Sequence, residues 1–488
     1  MLKLSKISNL PFVFIFIILG CNSTFSNKKD KNKYSTIIQS KSAKSIYINC
    51  DPKQYESIFK NFKENIYINV TISYNGKKWQ NVKMRIRGDS SRKLPKKSLK
   101  LKFSKKEPFI NDKTKINLNA EWYDKSYMNQ YLSSYLMRRE GVYCFESQHV
   151  LLYLNNKFHG IFLMIENIDE KFLSSRNINP NQTLYKSTKD GATFNDTSEV
   201  FHLWEKKTNK KDLSRDDLKK IIFEVNQLNI KNAYEYFKTK FDYDRLLTAI
   251  AINILTSNKS TYYHNYYLLH NHKNEKWNYI PWDMDKTLMK ELIDLHYSKS
   301  TWSEGYNSNL ADNPIPELIF LNKKMRNDLK NKIIAIVENS FNPANMNIVI
   351  DSMSAILTPF IGLDNNDNIR SIEVWENAIL DLKGFIEERP KVIKSQMINY
   401  PKPFLVFPSK NSIISWSKSS SPSKVLYTLF MCEDYDFKKS KVYSFETQDT
   451  IINVSGLNSG KCDGNLMSTL SWYPLVLSNG GRLKTNSL

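Results

Sequence analysis

Residues 276–285, Lys-Trp-Asn-Tyr-Ile-Pro-Trp-Asp-Met-Asp, place two carboxylates two positions apart directly behind a short apolar run. If the backbone stays extended past Pro281, Asp283 and Asp285 share one side while Trp282 and Met284 share the other. Two acids on one side repel unless a cation lies between them, and a hard, oxygen-ligated ion such as Mg2+ suits those donors. The competing reading makes Asp283 a cap and Asp285 a surface residue, and spacing alone does not separate the two. Upstream lies the polar and aromatic cluster Ser260-Thr-Tyr-Tyr-His-Asn265. A third stretch, residues 85–103 (RIRGDSSRKLPKKSLKLKF), contains the adhesion tetrapeptide Arg87-Gly88-Asp89-Ser90 and then a run of lysines. It reads as an attachment loop, as a patch for a phosphorylated ligand through the planar fork of Arg87, or as plain surface.

The elements that must carry these residues follow from periodicity. Residues 67–74 and 82–87 alternate with period two around Gly76, as a hairpin would, and 98–103 is another alternating strand starting after Pro95. Residues 127–139 read as a helix stopped at Gly141, and 150–154 with 158–165 as a second hairpin around Asn155-Asn156. Segments 213–228, 234–255, 317–339 and 374–397 have helical spacing, and 277–280 is a short strand. A sheet-rich half therefore comes first and a helical half follows. Pro401, Pro403 and Pro408 mark a boundary, beyond which 404–488 reads as a small β-sandwich that vaguely resembles a fibronectin type III domain. The fold class is α+β.

The 488 residues exceed one ordinary core and imply two or three domains. Lys and Arg outnumber Asp and Glu by 71 to 49, a formal charge of +22. That excess is spread along the chain and comes with no zinc-finger, RRM or bZIP pattern, so a solvated lysine surface is favoured over a nucleic-acid partner. Lys3 and Lys6 precede the apolar run 10–19, then Gly20-Cys21. This reads as an export signal over 1–20 with a lipobox that makes Cys21 the acylated mature N-terminus. A flexible tether would follow over 21–45. Of the remaining cysteines, Cys432 with Cys462 is the most plausible bridge in an exported chain, and Cys50 with Cys144 a guess. No CxxC or His-rich cluster points to zinc.

Several of these stretches resemble one family. Gly88-Asp-Ser-Ser-Arg92 with Pro95-Lys-Lys-Ser98 looks like the RGxSSR…PKKS segment of the CotH kinase family, atypical protein kinases named after a spore-coat protein. Residues 151–170 resemble that family's NGxyxGxYlliE stretch, Leu184-Tyr-Lys186 its LYK, and 277–285 its WxfiPWDlD. Asn313-Pro and Phe385-Ile-Glu-Glu-Arg389 fit its helical tail, so the likeness runs in order from about 80 to 400. It implies a bilobal, protein-kinase-like domain over 46–400 that uses ATP with Mg2+ or Mn2+ to phosphorylate Ser or Thr of protein partners. By that resemblance Arg87, Ser90, Ser91 and Lys97 would meet phosphates, with the choice between Lys96 and Lys97 left open. Glu166 would orient the lysine or lie at the adenine edge. Asn265 and Asp283 would hold metal, with Asp285 auxiliary.

This sequence departs from the family pattern at two places. Ser260 occupies the position where kinases carry the catalytic Asp, five before the metal-binding Asn, and a serine hydroxyl is no general base near neutral pH. Asn129 stands where the family usually has Arg in DpSxxRn, here starting at Asp124. Three functional classes stay in view: a kinase working without the usual base, a pseudokinase scaffold that keeps its nucleotide site, and a surface adhesin whose working part is the terminal domain.

Overall fold

A computed structural model of the chain describes residues 43–188, 192, 194, 203–295, 313–369 and 371–399, with short segments between 406 and 477. Seven strands, β1 (Lys44–Asn49), β2 (Ile68–Tyr74), β3 (Lys77–Ile86), β4 (Leu99–Lys102), β5 (Lys115–Asn119), β6 (Ser147–Leu154) and β7 (Lys157–Glu166), close into a barrel in the order β1-β2-β3-β4-β5-β7-β6. Neighbours run antiparallel except β1 and β6, which pair in parallel with Ile46 opposite Leu152. The expected sheet half is thus a closed barrel. Closure rests on a long-range pairing of first and sixth strands, which local alternation does not reveal. β1 begins at Lys44, inside the stretch read as tether, because Ile46 and Ile48 are fully buried in the barrel core with Ile72, Met84, Leu101 and Leu118. Tight turns at Asn75-Gly76 and Asn155-Asn156 take positive φ at both residues, as two-residue hairpins require.

Helix α1 (Pro52–Lys60), capped by the Asp51 carboxylate, closes on the barrel through Ile58. Helix α2 (Asn129–Arg139) packs against the other core. That second core surrounds a four-stranded sheet of β8 (Thr183–Ser187), β9 (Trp204–Lys206), β10 (Tyr266–Asn271) and β11 (Lys276–Pro281), in the order β11-β10-β8-β9. Around it lie α3 (Asp216–Asn226), α4 (Ala233–Lys240), α5 (Tyr243–Leu255), α6 (Pro314–Leu321), α7 (Lys323–Asn339), α8 (Pro343–Ile361) and α9 (Ile372–Asn399). Two helices read as continuous are broken, for one reason. Asp242 caps α5 by accepting from Arg245 N, and Asn322 caps α7 by accepting from Lys324 N and Met325 N, so each side chain restarts a helix.

Beyond residue 400, the described residues include six short strands in two antiparallel three-stranded sheets, 406–407, 413–416 and 451–453 in one, 426–431, 443–447 and 475–477 in the other. Cys21, Cys432 and Cys462 lie outside the described residues. Cys50 and Cys144 are free thiols, which corrects the guess that they pair. Cys144 is buried in the core around the second sheet, whereas Cys50 packs against the barrel core.

Candidate active site

Helix α5 is buried from Leu246 to Leu255 and delivers the segment 256–265 to the edge of the second sheet. There it pairs with the segment behind β11. Leu288 N donates to Thr256 O at 2.8 Å, Lys259 N to Lys286 O at 3.2 Å, and Trp282 N to Asn265 O at 3.1 Å. Ser260 Oγ donates to the main-chain oxygen of Asp283 at 3.0 Å, and Asn265 Nδ2 donates to Ser260 O at 3.1 Å. Ser260, Asn265 and Asp283 are therefore brought together, with Asp285 beside them. Trp282 and Met284 are buried, but Asp283 is left-handed (φ 54°), so the extended backbone assumed for the pair is not present. Ser257, Tyr262, Asn265 and Glu121 also have positive φ, so several left-handed residues gather around these side chains.

Arg389 holds this loop from beneath. Its fully buried guanidinium donates to Ile254 O (3.0 Å) at the carbonyl end of α5 and to Ile293 O (2.8 Å) and Leu295 O (2.6 Å). Burial lowers its pKa to about 9, against the pull of Asp294. Arg389→Ala should cost about 3 kcal/mol or more in urea unfolding, because buried carbonyls lose their donors at ~1–3 kcal/mol each.

The acidic side of the site holds more than Asp283 and Asp285. The Asp285 carboxyl is pushed up to about 7 by burial and then by Asp283. Glu121, directly behind β5, is buried and held well above the usual carboxylate range by burial, then by Asp285, Asp124 and Asp283; the Asn119 amide offsets only part of this. Asp124 does a different job. Its carboxylate accepts from Ser126 N (2.9 Å), Ser126 Oγ (2.6 Å) and Asn129 N (2.7 Å), which fixes the entry to α2. Asn129 is part of that same turn.

Cations face these acids. The Arg87 guanidinium donates to Asn119 Oδ1, lies 5.8 Å from the Trp282 ring centre and has Asp283 as its strongest acidic neighbour. Lys186 is 5.7 Å from the Trp282 ring centre and 5.9 Å from that of Tyr267, with no ion pair among the described residues. Burial, then Arg87 and Lys207, lower its pKa to about 8. Lys100 Nζ donates to Asn167 Oδ1 at 3.3 Å, and burial, then Lys207 and Arg87, lower it to about 7. Cations that depress one another's charge in this way have their charge restored by an oxyanion between them.

Lys97 is not among them, a correction to the sequence reading. β4 begins at Leu99, behind Pro95, so the alternation does not reach back to Lys97. Lys97 Nζ instead donates to Arg92 O at 2.5 Å and lies over the Phe62 ring. Lys96 is the buried partner of Asp364 at 3.0 Å and also donates to Ile161 O at 2.6 Å. Ser90 and Ser91 sit in a single 3-10 turn (Ser90–Lys93) whose geometry is set by Arg92, which donates to Gly88 O (2.7 Å), Lys63 O (3.0 Å) and Asn65 Oδ1 (2.7 Å). Gly88 is needed there: at φ +112° a Cβ would lie 2.2 Å from Ser91 Oγ. Glu166 is likewise engaged elsewhere, with Arg176 at 2.8 Å and Lys113 at 3.8 Å, and meets no site lysine. A separate group of ligand-type side chains, Asp217, His270 and His272, brackets α3 to the second sheet. His270 Nδ1 is 2.9 Å from Asp217 Oδ2, and His272 Nε2 is 2.9 Å from Thr183 Oγ1, so these atoms already have partners.

Lys100, Lys186 and Glu121 were not picked out as site residues from the sequence. For Lys100 the signal was present: Leu99 and Leu101 point into the barrel, so the residue between them faces outward. Glu121 lies in an irregular turn with no periodicity to mark it.

The profile of the CotH kinase protein family matches residues 84–393, more than half of the chain. The chain belongs to that family. Among curated relatives it is 25% identical over 323 residues to the inner spore coat protein H of Bacillus subtilis (strain 168), covering 64% of this chain and 86% of that protein. It is also similar to the crystal structure of a Helicobacter pylori proinflammatory kinase, CtkA, at 10% identity and a TM-score of 0.26, covering 62% of this chain and 94% of that one. Within the CotH family match fall all the residues of both walls, from Arg87 to Asp285.

Proposed function

We propose that this CotH-family chain is a protein kinase with a bilobal, kinase-like domain, using ATP and Mg2+ or Mn2+ to phosphorylate Ser or Thr of a protein partner. The observation that carries this reading is Asp283, which belongs electrostatically to both walls: it presses on Asp285 and Glu121 and steadies Arg87 and Lys186. An oxygen-rich wall beside a cationic wall matches a metal–polyphosphate pair. The residues fit the metal, since the donor set is made of carboxylate and amide oxygens. Asp283 and Asn265 would hold the ion, which supplies charge neutralisation for the transferred phosphoryl group. Arg87, Lys100 and Lys186 hold phosphate oxygens, and Trp282 fixes the guanidinium plane of Arg87. Transfer then rests on positioning and charge, because Ser260 spends its proton on the Asp283 carbonyl and is no base. That same substitution favours a second reading, a pseudokinase scaffold or surface binding protein that retains the nucleotide.

Export and anchoring through acylated Cys21 complete the proposal, with a fibronectin-like β-sandwich over 404–488 supported by the two small sheets, and with no nucleic-acid partner. Calorimetric titration with ATP and Mg2+ or Mn2+ tests the nucleotide site. Lys186→Met should weaken binding about 10- to 100-fold, the range for a lost hydrogen bond to a charged group. Lys100 and Lys186 lose their protons as pH rises through about 7 and 8, and a bound phosphate raises both pKa values. Binding at pH 8 should therefore take up protons, visible as a dependence of the heat on the buffer's ionisation enthalpy, and affinity should fall from pH 7 to 9. No saturable binding with either metal contradicts the reading.

A further inference from the structure

Three side chains able to bind a metal meet at one end of the second sheet, and none of them belongs to the walls of the candidate active site. His270 is on β10 and His272 two positions on, one step of strand alternation and too short a pattern to announce a site by itself. The fold adds Asp217, 53 residues away in the chain, from the first turn of α3. One ligand atom from each of Asp217, His270 and His272 lies within 4.8 Å of the other two. Ligands about 2.0–2.1 Å from one ion stand about 3–4 Å apart, so small ring rotations close the set.

Each group is already held in place. Asp217 Oδ1 accepts from Tyr185 OH at 2.5 Å and from Leu218 N at 2.8 Å, while Oδ2 faces His270 Nδ1 at 2.9 Å. His270 is 6% exposed and stacks on Trp277, ring centres 4.4 Å apart and planes at 3°. Glu275 Oε2 stands 3.5 Å from His270 Nε2, and a carboxylate there draws the ring proton to that end and frees Nδ1 as a ligand. The His272 ring centre is 4.3 Å from that of His270, and the Thr183 hydroxyl, 2.9 Å from His272 Nε2, orients it. Thr183 is the register partner of His270 on β8, so both rings are set against the same pair of strands. Burial, then His270, lower the pKa of His272, so at neutral pH it offers a lone pair rather than a charge. Lys206, a cation that His272 feels, is committed to the Asp212 carboxylate at 2.9 Å and to the main-chain oxygens of Asp212 and Ser214.

Without an ion, a proton lies between Asp217 and His270. That hydrogen bond accounts for two of the three groups. The second imidazole, packed on the first from an exposed turn, is accounted for by an ion that all three share. Two imidazoles and one carboxylate favour a borderline first-row ion over Mg2+ or Ca2+, which take oxygen donors.

We propose that Asp217, His270 and His272 form a Zn2+ site, three protein ligands with water in the fourth position, that clasps α3 to β10. The site stands whether or not the chain binds ATP.

The test is Zn2+ binding to the full chain at neutral pH, by competition with a chromophoric chelator and by thermal unfolding in Zn2+ or in EDTA. Wild type should bind Zn2+ saturably, and its thermal midpoint should rise with Zn2+ concentration. His272→Ala should match wild type in EDTA, lose the rise, and bind Zn2+ at least about 100-fold more weakly. Wild type without saturable Zn2+ binding, or His272→Ala with unchanged affinity and stoichiometry, overturns the site. Should His272→Ala not fold, zinc X-ray absorption of the wild-type chain decides. Two imidazoles around the ion support the clasp, and fewer than two, or a shell of sulfur, overturns it.

Discussion

Asp283→Asn should lower γ-phosphoryl transfer by about 10³-fold or more, since it removes the charge on which both walls of the site converge. The substitution is nearly isosteric, and the loop contact made by Asp283 is through its main-chain oxygen, which accepts from Ser260 and is unchanged in Asn. Folding should survive. In the absence of metal the thermal midpoint should change little, because relief of the repulsion on Asp285 offsets the lost attraction to Arg87 and Lys186. A loss of activity accompanied by a collapse in thermal midpoint would instead assign Asp283 a structural role.

Asp364→Ala should be the most destabilising single change outside the site. Lys96 and Asp364 are side chains with no exposed surface, 3.0 Å apart, and Asp364 Oδ2 also accepts from Ile161 N at 2.5 Å. Together they join β7 of the barrel to the segment behind α8. Gly160 makes room for this: with φ +129°, its missing Cβ would stand 3.0 Å from the Asp364 carboxylate. Removing the acid leaves a buried ammonium whose pKa burial already lowers to about 8. The expected cost is about 3–5 kcal/mol, a drop of roughly 10 °C in thermal midpoint. Lys96→Met in the Asp364→Ala background should recover much of the loss, since an unpaired buried charge is worse than an apolar pair. Equal destabilisation of the single and double variants would contradict this account.

Five of the seven barrel strands were legible from alternation, whereas β1 fell partly in the stretch read as tether and β5 was not read. For the Asp283–Asp285 pair, spacing offered the chemistry and the family resemblance chose it. Register in three dimensions was not legible. Lys100, not Lys97, lies beside Arg87, because a proline and a 3-10 turn reset the alternation and the odd positions 99 and 101 fill the barrel. Glu166 carried the right chemistry but ends β7, where Arg176 and Lys113 claim it. Glu121 reaches the acids through a left-handed turn that no periodicity announces. The paired cap residues Asp242 and Asn322 lay inside patterns that spacing alone read as single helices. Local chemistry was visible in the chain; the meeting of distant turns was not.

The most direct measurement is transfer of labelled γ-phosphate by a chain beginning at residue 22, with Mg2+ and with Mn2+, onto a serine-rich acceptor protein. Wild type, Ser260→Asp and Asp283→Asn are compared. The account predicts label transferred by wild type, lost in Asp283→Asn, and raised in Ser260→Asp by about 10²-fold, the lower end for a restored general base. Label that appears only with Ser260→Asp would contradict it and make the native protein a pseudokinase.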